Sequence, residues 1–262
     1  MLGRSVIFGL RQQARFTSFE TIKYEKIGKV GLITLNRPKK LNAMNTTTYS
    51  EVDQALRKIS LDDDLTVAAI TGTGKYFTSG NDMGDGMKRM MESDLTPEEV
   101  SAQNTETFKS LVGTLIDFEK PLAALVNGPA IGIGVTVLPH ADFVWSSDDA
   151  TFRTPFTQIG LVPEACSSYL LPQVLGSANA SEMLLFGTQF TAQELKRLGL
   201  VSRIFEKDDF MKKSMRLGKS LIKSKEVRDT LHQVNANECE VLATRYTSEE
   251  VIEAVMRFNS RK

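Results

Sequence analysis

The sequence predicts an α/β domain with a helical C-terminal portion. Short β-branched or apolar runs alternate with stretches of helical periodicity from Ile22 to Trp145. Beyond Glu164 the chain reads almost wholly as helix, with one strand at Val201–Phe205. No repeat, low-complexity tract or linker divides the 262 residues, a length that suits one large domain with a sizeable core.

The elements follow in order. Ile22–Tyr24 and Val30–Leu35 read as strands joined through Lys26 and Gly28, and Asn36-Arg37-Pro38 forms the turn after them. Asn45 or Thr46 caps a helix whose apolar positions Val52, Leu56 and Ile59 keep helical spacing. Val67–Thr71 is a β-branched strand closed by Gly72 and Gly74. Met83–Pro97, rich in Met, Gly and charge, reads as a mobile segment, and Glu98–Phe118 resumes helical periodicity. Leu122–Val126 is a buried strand; the glycine-rich segment Asn127–Gly134 opens a helix ending near His140, and Phe143–Trp145 is another strand. Helices are expected at Ser167–Leu175, Ala178–Phe186, Ala192–Leu198, Asp208–Ile222, Lys225–Thr244 and Ser248–Asn259.

Composition excludes several functions. Lys+Arg and Asp+Glu are both 32, so the chain lacks the basic excess of a nucleic-acid binder. With 41% hydrophobic and 24% charged residues it is not a disordered acidic chain. Cys166 and Cys239 form no CxxC pair, which points to a reducing compartment rather than a disulfide framework. No apolar run reaches the roughly 20 residues of a membrane span. From residue 1 to 18 the only charges are Arg4, Arg11 and Arg15, a composition that fits either a mitochondrial targeting arm or an ordinary disordered terminus. The arm precedes a domain over residues 19–262. The chain ends Ser260-Arg261-Lys262 without a Ser-Lys-Leu peroxisomal signal, so the mitochondrial matrix is the expected location and the peroxisome the alternative.

Gly72-Thr73-Gly74-Lys75 is too short for a phosphate loop, and Gly132-Ile133-Gly134 lacks the third glycine of a dinucleotide fingerprint. His140 and His232 have no neighbour at metal-ligand spacing, so no metal site is expected. Two loops after strands make unusual backbone demands: Tyr76–Met83 and Val126–Gly134. Small residues there leave N–H groups free to face a ligand, and the helix opening near Ile133 adds unpaired N–H groups. Together they could make an oxyanion hole; each alone is also an ordinary strand-to-helix turn.

These loops resemble those of the crotonase superfamily, the enoyl-CoA hydratase/isomerase family. The resemblance runs from Phe19 to about Asn259. It rests on Leu35-Asn36-Arg37-Pro38 with Leu41-Asn42-Ala43-Met44, on Phe77-Thr78-Ser79-Gly80-Asn81-Asp82, on Ala130–Gly134, and on Gly160-Leu161-Val162-Pro163. It implies a spiral of ββα units with a helical C-terminal trimerisation region, hence a homotrimer or dimer of trimers. It also implies an oxyanion hole from the N–H groups of Asn81 and Ile133, facing the thioester oxygen of an acyl-CoA. Ser79, Gly80, Asp82, Met83, Ala43 and Gly132 would line the substrate. Lys39 and Lys40 are either partners of the coenzyme A phosphates or solvated surface lysines, and Met83, Met87, Met90 and Met91 either line an acyl pocket or face a core.

The family's hydratases carry two glutamates, whose positions here hold Thr136 and Phe156; neither can activate water. Leu161-Val162-Pro163-Glu164-Ala165-Cys166-Ser167-Ser168 instead resembles the segment that carries the sole catalytic base, here Glu164, in peroxisomal-type Δ3,Δ2-enoyl-CoA isomerases. Ala165 departs from that subgroup's glycine. Asn235-Ala236-Asn237-Glu238-Cys239 also resembles the subgroup. The resemblance implies proton transposition with no metal or redox cofactor, coenzyme A being part of the substrate. Alternatives are dienoyl-CoA isomerisation, thioester hydrolysis, or a non-catalytic acyl-CoA-binding module like the chromodomain Y-like proteins.

Overall fold

The computed structural model describes residues 19–211, 225–246 and 248–259. The expected arm over residues 1–18 lies outside them, as does most of the helix expected at Asp208–Ile222; the described start of that stretch holds a 3-10 turn, Lys207–Asp209.

Strands β1 (Ile22–Ile27) and β2 (Val30–Leu35) form an antiparallel hairpin. Asn45 accepts the Thr48 N–H at 3.0 Å and starts α1 (Thr46–Ser60). The α1 side chains Val52, Leu56 and Ile59 are fully buried against the sheet with Ile33, as their spacing requires. Parallel to β2 run β3 (Val67–Gly72), β4 (Leu122–Val126), β6 (Phe143–Ser147) and β9 (Arg203–Phe205), giving a six-stranded sheet ordered β1-β2-β3-β4-β6-β9. All five residues of β4 are buried, as a central parallel strand demands.

A second sheet, β5 (Ala130–Ile131), β7 (Thr151–Arg153) and β8 (Phe190–Thr191), has three strands. The chain passes from β4 to β5 and again from β6 to β7, so successive units alternate between the sheets and spiral. The sequence pattern predicts none of β5, β7 or β8, because runs of two or three residues show no periodicity.

Two helical elements differ from expectation. Met83–Glu92 forms helix α2, where an irregular segment is expected. Its glycines mask the pattern, yet Asp82 caps it through the Asp85 N–H at 3.2 Å, and Met83 and Met87 pack on the core. Helix α3 (Pro97–Asp117) opens with a Thr96/Glu99 capping box. The helix expected to run to His140 stops as α4 (Ile133–Thr136) and a 3-10 turn at Leu138–His140, because Pro139 cannot donate to the preceding turn. Helices α5 (Ser167–Leu175), α6 (Ser177–Phe186), α7 (Ala192–Arg197), α8 (Lys225–Tyr246) and α9 (Glu249–Asn259) lie within a few residues of expectation.

The main core lies between the large sheet and α1, α3 and α8; a second fills the space around the small sheet and α5–α7. Because β3 and β4 are parallel neighbours, the loops leaving their carboxyl ends emerge side by side.

Candidate active site

The first loop is tied to the segment before α1. Buried Asn42 donates to the carbonyls of Thr73 (2.9 Å) and Tyr76 (2.8 Å) and accepts the Arg37 N–H at 3.0 Å. The Thr78 hydroxyl donates to the Asn42 carbonyl at 2.7 Å and accepts the Gly80 N–H at 3.1 Å. Met44 then donates to Gly80 and Asp82 to Met44, each at 2.8 Å, while Ser79 donates to the Leu41 carbonyl at 2.9 Å. Arg37 binds the Ala43 carbonyl at 2.5 Å and pairs with Asp82 at 2.9 Å. Ser79, Gly80 and Asp82 are therefore each held by a partner outside their own loop.

The second loop docks on the first. The Ile131 N–H donates to Thr78 at 3.0 Å, and the Gly132 N–H to Arg153 at 2.9 Å. Gly132 sits at φ 56°, ψ −119°, a region that excludes other residues without strain. Gly80 is at φ 92°, and a Cβ there would lie 3.1 Å from the Ile131 carbonyl oxygen. Where the loops meet, the N–H groups of Asn81 and Ile133 find no acceptor among the described residues, although those of Gly80, Asp82 and Gly132 do. Two donors left open on glycine-permitted turns suit a developing oxyanion.

Glu164 follows Pro163 just ahead of α5 and is 4% exposed. Its carboxyl has no hydrogen-bond partner among the described residues. Burial, with the neighbouring charge of Glu238 second, raises its pKa from 4.5 to about 8. A buried acid without a partner lowers stability, so its presence is a functional signal. Around it stand buried Tyr49 from α1 and half-buried Tyr246 from α8, phenols pushed up first by burial and then by Glu164. Both phenols therefore stay neutral through the physiological range. The Asn81 side-chain amide donates to the Tyr246 hydroxyl at 3.1 Å, linking the first loop to α8.

A cavity beside these groups is lined by Tyr49, Asn81, Tyr246, Met83, Met87 and Met90. Three of the four expected methionines thus face it; Met91 instead is 82% exposed. Lys39 and Lys40 are exposed on the 3-10 turn Pro38–Lys40, and the Ser79 hydroxyl donates to the Lys40 carbonyl at 3.3 Å, so the basic pair lies next to the first loop. Thr136 and Phe156 are buried apolar-side positions, 0% and 3% exposed, with no carboxylate in their place.

Four residues that organise the site do not stand out in the sequence. Asn42 and Arg37 sit there only within motifs, and Tyr246 and the role of Glu238 arise from contacts more than 70 residues away in sequence. His140, of little interest by spacing, donates from Nε2 to the Ala165 carbonyl at 2.8 Å.

Residues 25–256 match the family model described as Enoyl-CoA hydratase/isomerase, and the chain belongs to that family. Its fold is the crotonase fold. A crystal structure of an enoyl-CoA hydratase/isomerase from Pseudoalteromonas atlantica T6c superposes with a TM-score of 0.79 at 31% identity, covering 93% of this chain and 98% of that one. The human protein named Enoyl-CoA delta isomerase 2 is 42% identical over 94% of this chain, which spans 65% of that relative's length. The mouse Enoyl-CoA delta isomerase 3, peroxisomal, is 40% identical over 88% of this chain and 75% of its own.

Proposed function

We propose that the chain is a Δ3,Δ2-enoyl-CoA isomerase acting in the β-oxidation of unsaturated fatty acids. One observation carries the reading: the buried Glu164 carboxyl, without a hydrogen-bond partner among the described residues, shares Tyr246 with the loop that carries the open Asn81 N–H, and neither hydratase position holds a carboxylate. Relatives at 40–42% identity named enoyl-CoA delta isomerases support it.

In this mechanism the thioester oxygen of a 3-enoyl-CoA accepts the N–H groups of Asn81 and Ile133. The Glu164 carboxylate removes a C2 proton; the C–H electron pair moves into the conjugated system, and negative charge collects on the thioester oxygen. Protonated Glu164 then returns the proton to C4 as the C3–C4 double bond becomes C2–C3. Atoms and electrons balance within the substrate, so the step consumes no oxidant and no water. Desolvation suits the base to the task, since a carboxyl with its pKa near neutrality removes a carbon acid's proton better than an ordinary one.

Lys39 and Lys40 are assigned to the phosphates of coenzyme A, and Ala43, Ser79, Gly80, Asp82, Met83 and Gly132 to the substrate channel. Assembly into a homotrimer or dimer of trimers belongs to the same proposal; exposed Val241, Ile252 and Met256 on α8 and α9 are apolar surface that a second copy would cover. The Arg4/Arg11/Arg15 arm supports a mitochondrial location, and the peroxisomal name of the mouse relative supports the alternative.

The test is product analysis with three substrates. The purified chain is expected to convert 3-enoyl-CoA to trans-2-enoyl-CoA, and to leave 2-enoyl-CoA unhydrated at enzyme levels that equilibrate the first reaction. Preferential turnover of 3,5-dienoyl-CoA, release of free coenzyme A, or binding without turnover would each replace the reading with one of its rivals.

A further inference from the structure

We propose that Glu238 is a positioning residue for this site: arriving from α8, its carboxylate holds the Ala165–Ser168 backbone in the turn that leaves Glu164 free to act on substrate. The inference rests on the isomerase reading and adds a residue to it.

The turn after Glu164 is one the chain does not adopt unaided. Ala165 and Cys166 are consecutive non-glycine residues at φ 55° and φ 60°, in the left-handed region. Such backbone persists only where the surroundings fix it. Glu238 Oε2 accepts the Cys166 N–H at 2.5 Å. Oε1 accepts the Ser168 N–H at 3.2 Å and also the Ser168 hydroxyl. From the other side His140 grips the Ala165 carbonyl, and the Cys166 thiol donates to the Leu231 carbonyl at 3.2 Å.

Helix α5 begins at this turn, and its first N–H groups need an acceptor. An acid just before a helix ordinarily supplies one, which would engage Glu164. No side chain at the Cys166 cap does so; Glu238 does, from about 70 residues away in sequence. With the Cys166 and Ser168 N–H groups satisfied by a different carboxylate, the Glu164 side chain makes no bond to the helix terminus; only its backbone carbonyl does, accepting the Ser167 N–H at 3.1 Å. Glu238 is itself 9% exposed, and burial raises its pKa against the pull of three donors.

Glu238 also acts on Glu164 through space. Among the described residues, the groups that interact with Glu164 are Glu238, Tyr246 and Cys239 from α8 and Tyr49 from α1. The two tyrosines and Cys239, pushed up to about 12 for the thiol, carry no charge below about pH 9, and neither does Cys166. Glu238 is the remaining charge, so its removal is read directly in the titration of Glu164.

The experiment compares wild type with Glu238→Gln, which keeps the length and one acceptor but loses the charge. Carbon-13 carboxyl NMR on the free protein should show the Glu164 midpoint lower by about 1, the low end of a like-charge effect. With 3-enoyl-CoA, kcat is expected to fall about tenfold while KM stays within about twofold, because the turn and not the binding loops is loosened. Ser168→Ala, at an exposed position that leaves folding intact, should lower kcat severalfold at unchanged thermal midpoint. An unchanged Glu164 midpoint together with wild-type kcat in Glu238→Gln overturns the proposal, as does a Ser168→Ala variant with wild-type kcat. The NMR titration needs no substrate: a wild-type protein inactive on 3-enoyl-CoA would sink the isomerase reading, and the titration alone would then decide whether Glu238 governs Glu164.

Discussion

Replacing Glu164 with Gln is expected to lower kcat for 3-enoyl-CoA isomerisation by roughly 10²–10⁴-fold, the range of a lost general base, while acyl-CoA binding changes little. Gln matches Glu in volume and leaves the loops of Asn81 and Ile133 untouched, so binding reports the fold and kcat the chemistry. A stability measurement separates the two effects further. Folding raises this carboxyl from 4.5 to about 8, so the stability it contributes is complete below about pH 4.5 and lost as pH climbs through about 8. Glutamine has no charge to bury. The thermal midpoint of Glu164→Gln should therefore rise relative to wild type between those limits and lead it most at alkaline pH. Unaltered kcat would remove Glu164 from the mechanism; a variant that gains nothing at high pH would show that the carboxyl is not desolvated.

The second large effect is expected at Gly132. Gly132→Ala places a Cβ in open space, the nearest atom being the Gly80 Cα at 3.9 Å, so no clash breaks the fold. What changes is the backbone, because alanine at φ 56°, ψ −119° is strained by about 1–3 kcal/mol and relaxes by turning the peptide that carries the Ile133 N–H. Losing one donor to an oxyanion typically costs about 10²–10³ in kcat. The expected result is a loss of that order with KM little altered and a cooperative melt retained. Gly80→Ala is a harsher control, since its Cβ meets the Ile131 carbonyl oxygen at 3.1 Å and must part the loops. Full activity in Gly132→Ala would mean that the Ile133 N–H does not bear on the reaction.

What the sequence made legible, and what it did not, follows the range of the interactions. The helix α1 and its Asn45 cap, the β-branched strand β3 and the apolar β4 are written in residues close together in the chain, and they appear where expected. The two loops after β3 and β4 are legible because glycine and small residues stand at fixed offsets from strand ends. Helix α2 was hidden by Gly84 and Gly86, which lower helix propensity, and it forms because Asp82 caps it and its methionines find apolar neighbours. Glu238 bonding Cys166 and His140 bonding Ala165 left no local trace. A charged residue on a helix and a histidine in an apolar stretch have many ordinary reasons to be there, and only the fold brings them to the turn after Glu164.

The pH dependence of kcat/KM for 3-enoyl-CoA tests the central claim most directly, because that parameter reports ionisations of the free protein. If the Glu164 carboxylate alone removes the proton, kcat/KM rises nearly tenfold per pH unit up to about 8 and is level above it. A profile that stays flat from about pH 6 to about pH 9, or that requires a second carboxylate of ordinary pKa, would contradict a reaction carried by this one buried base.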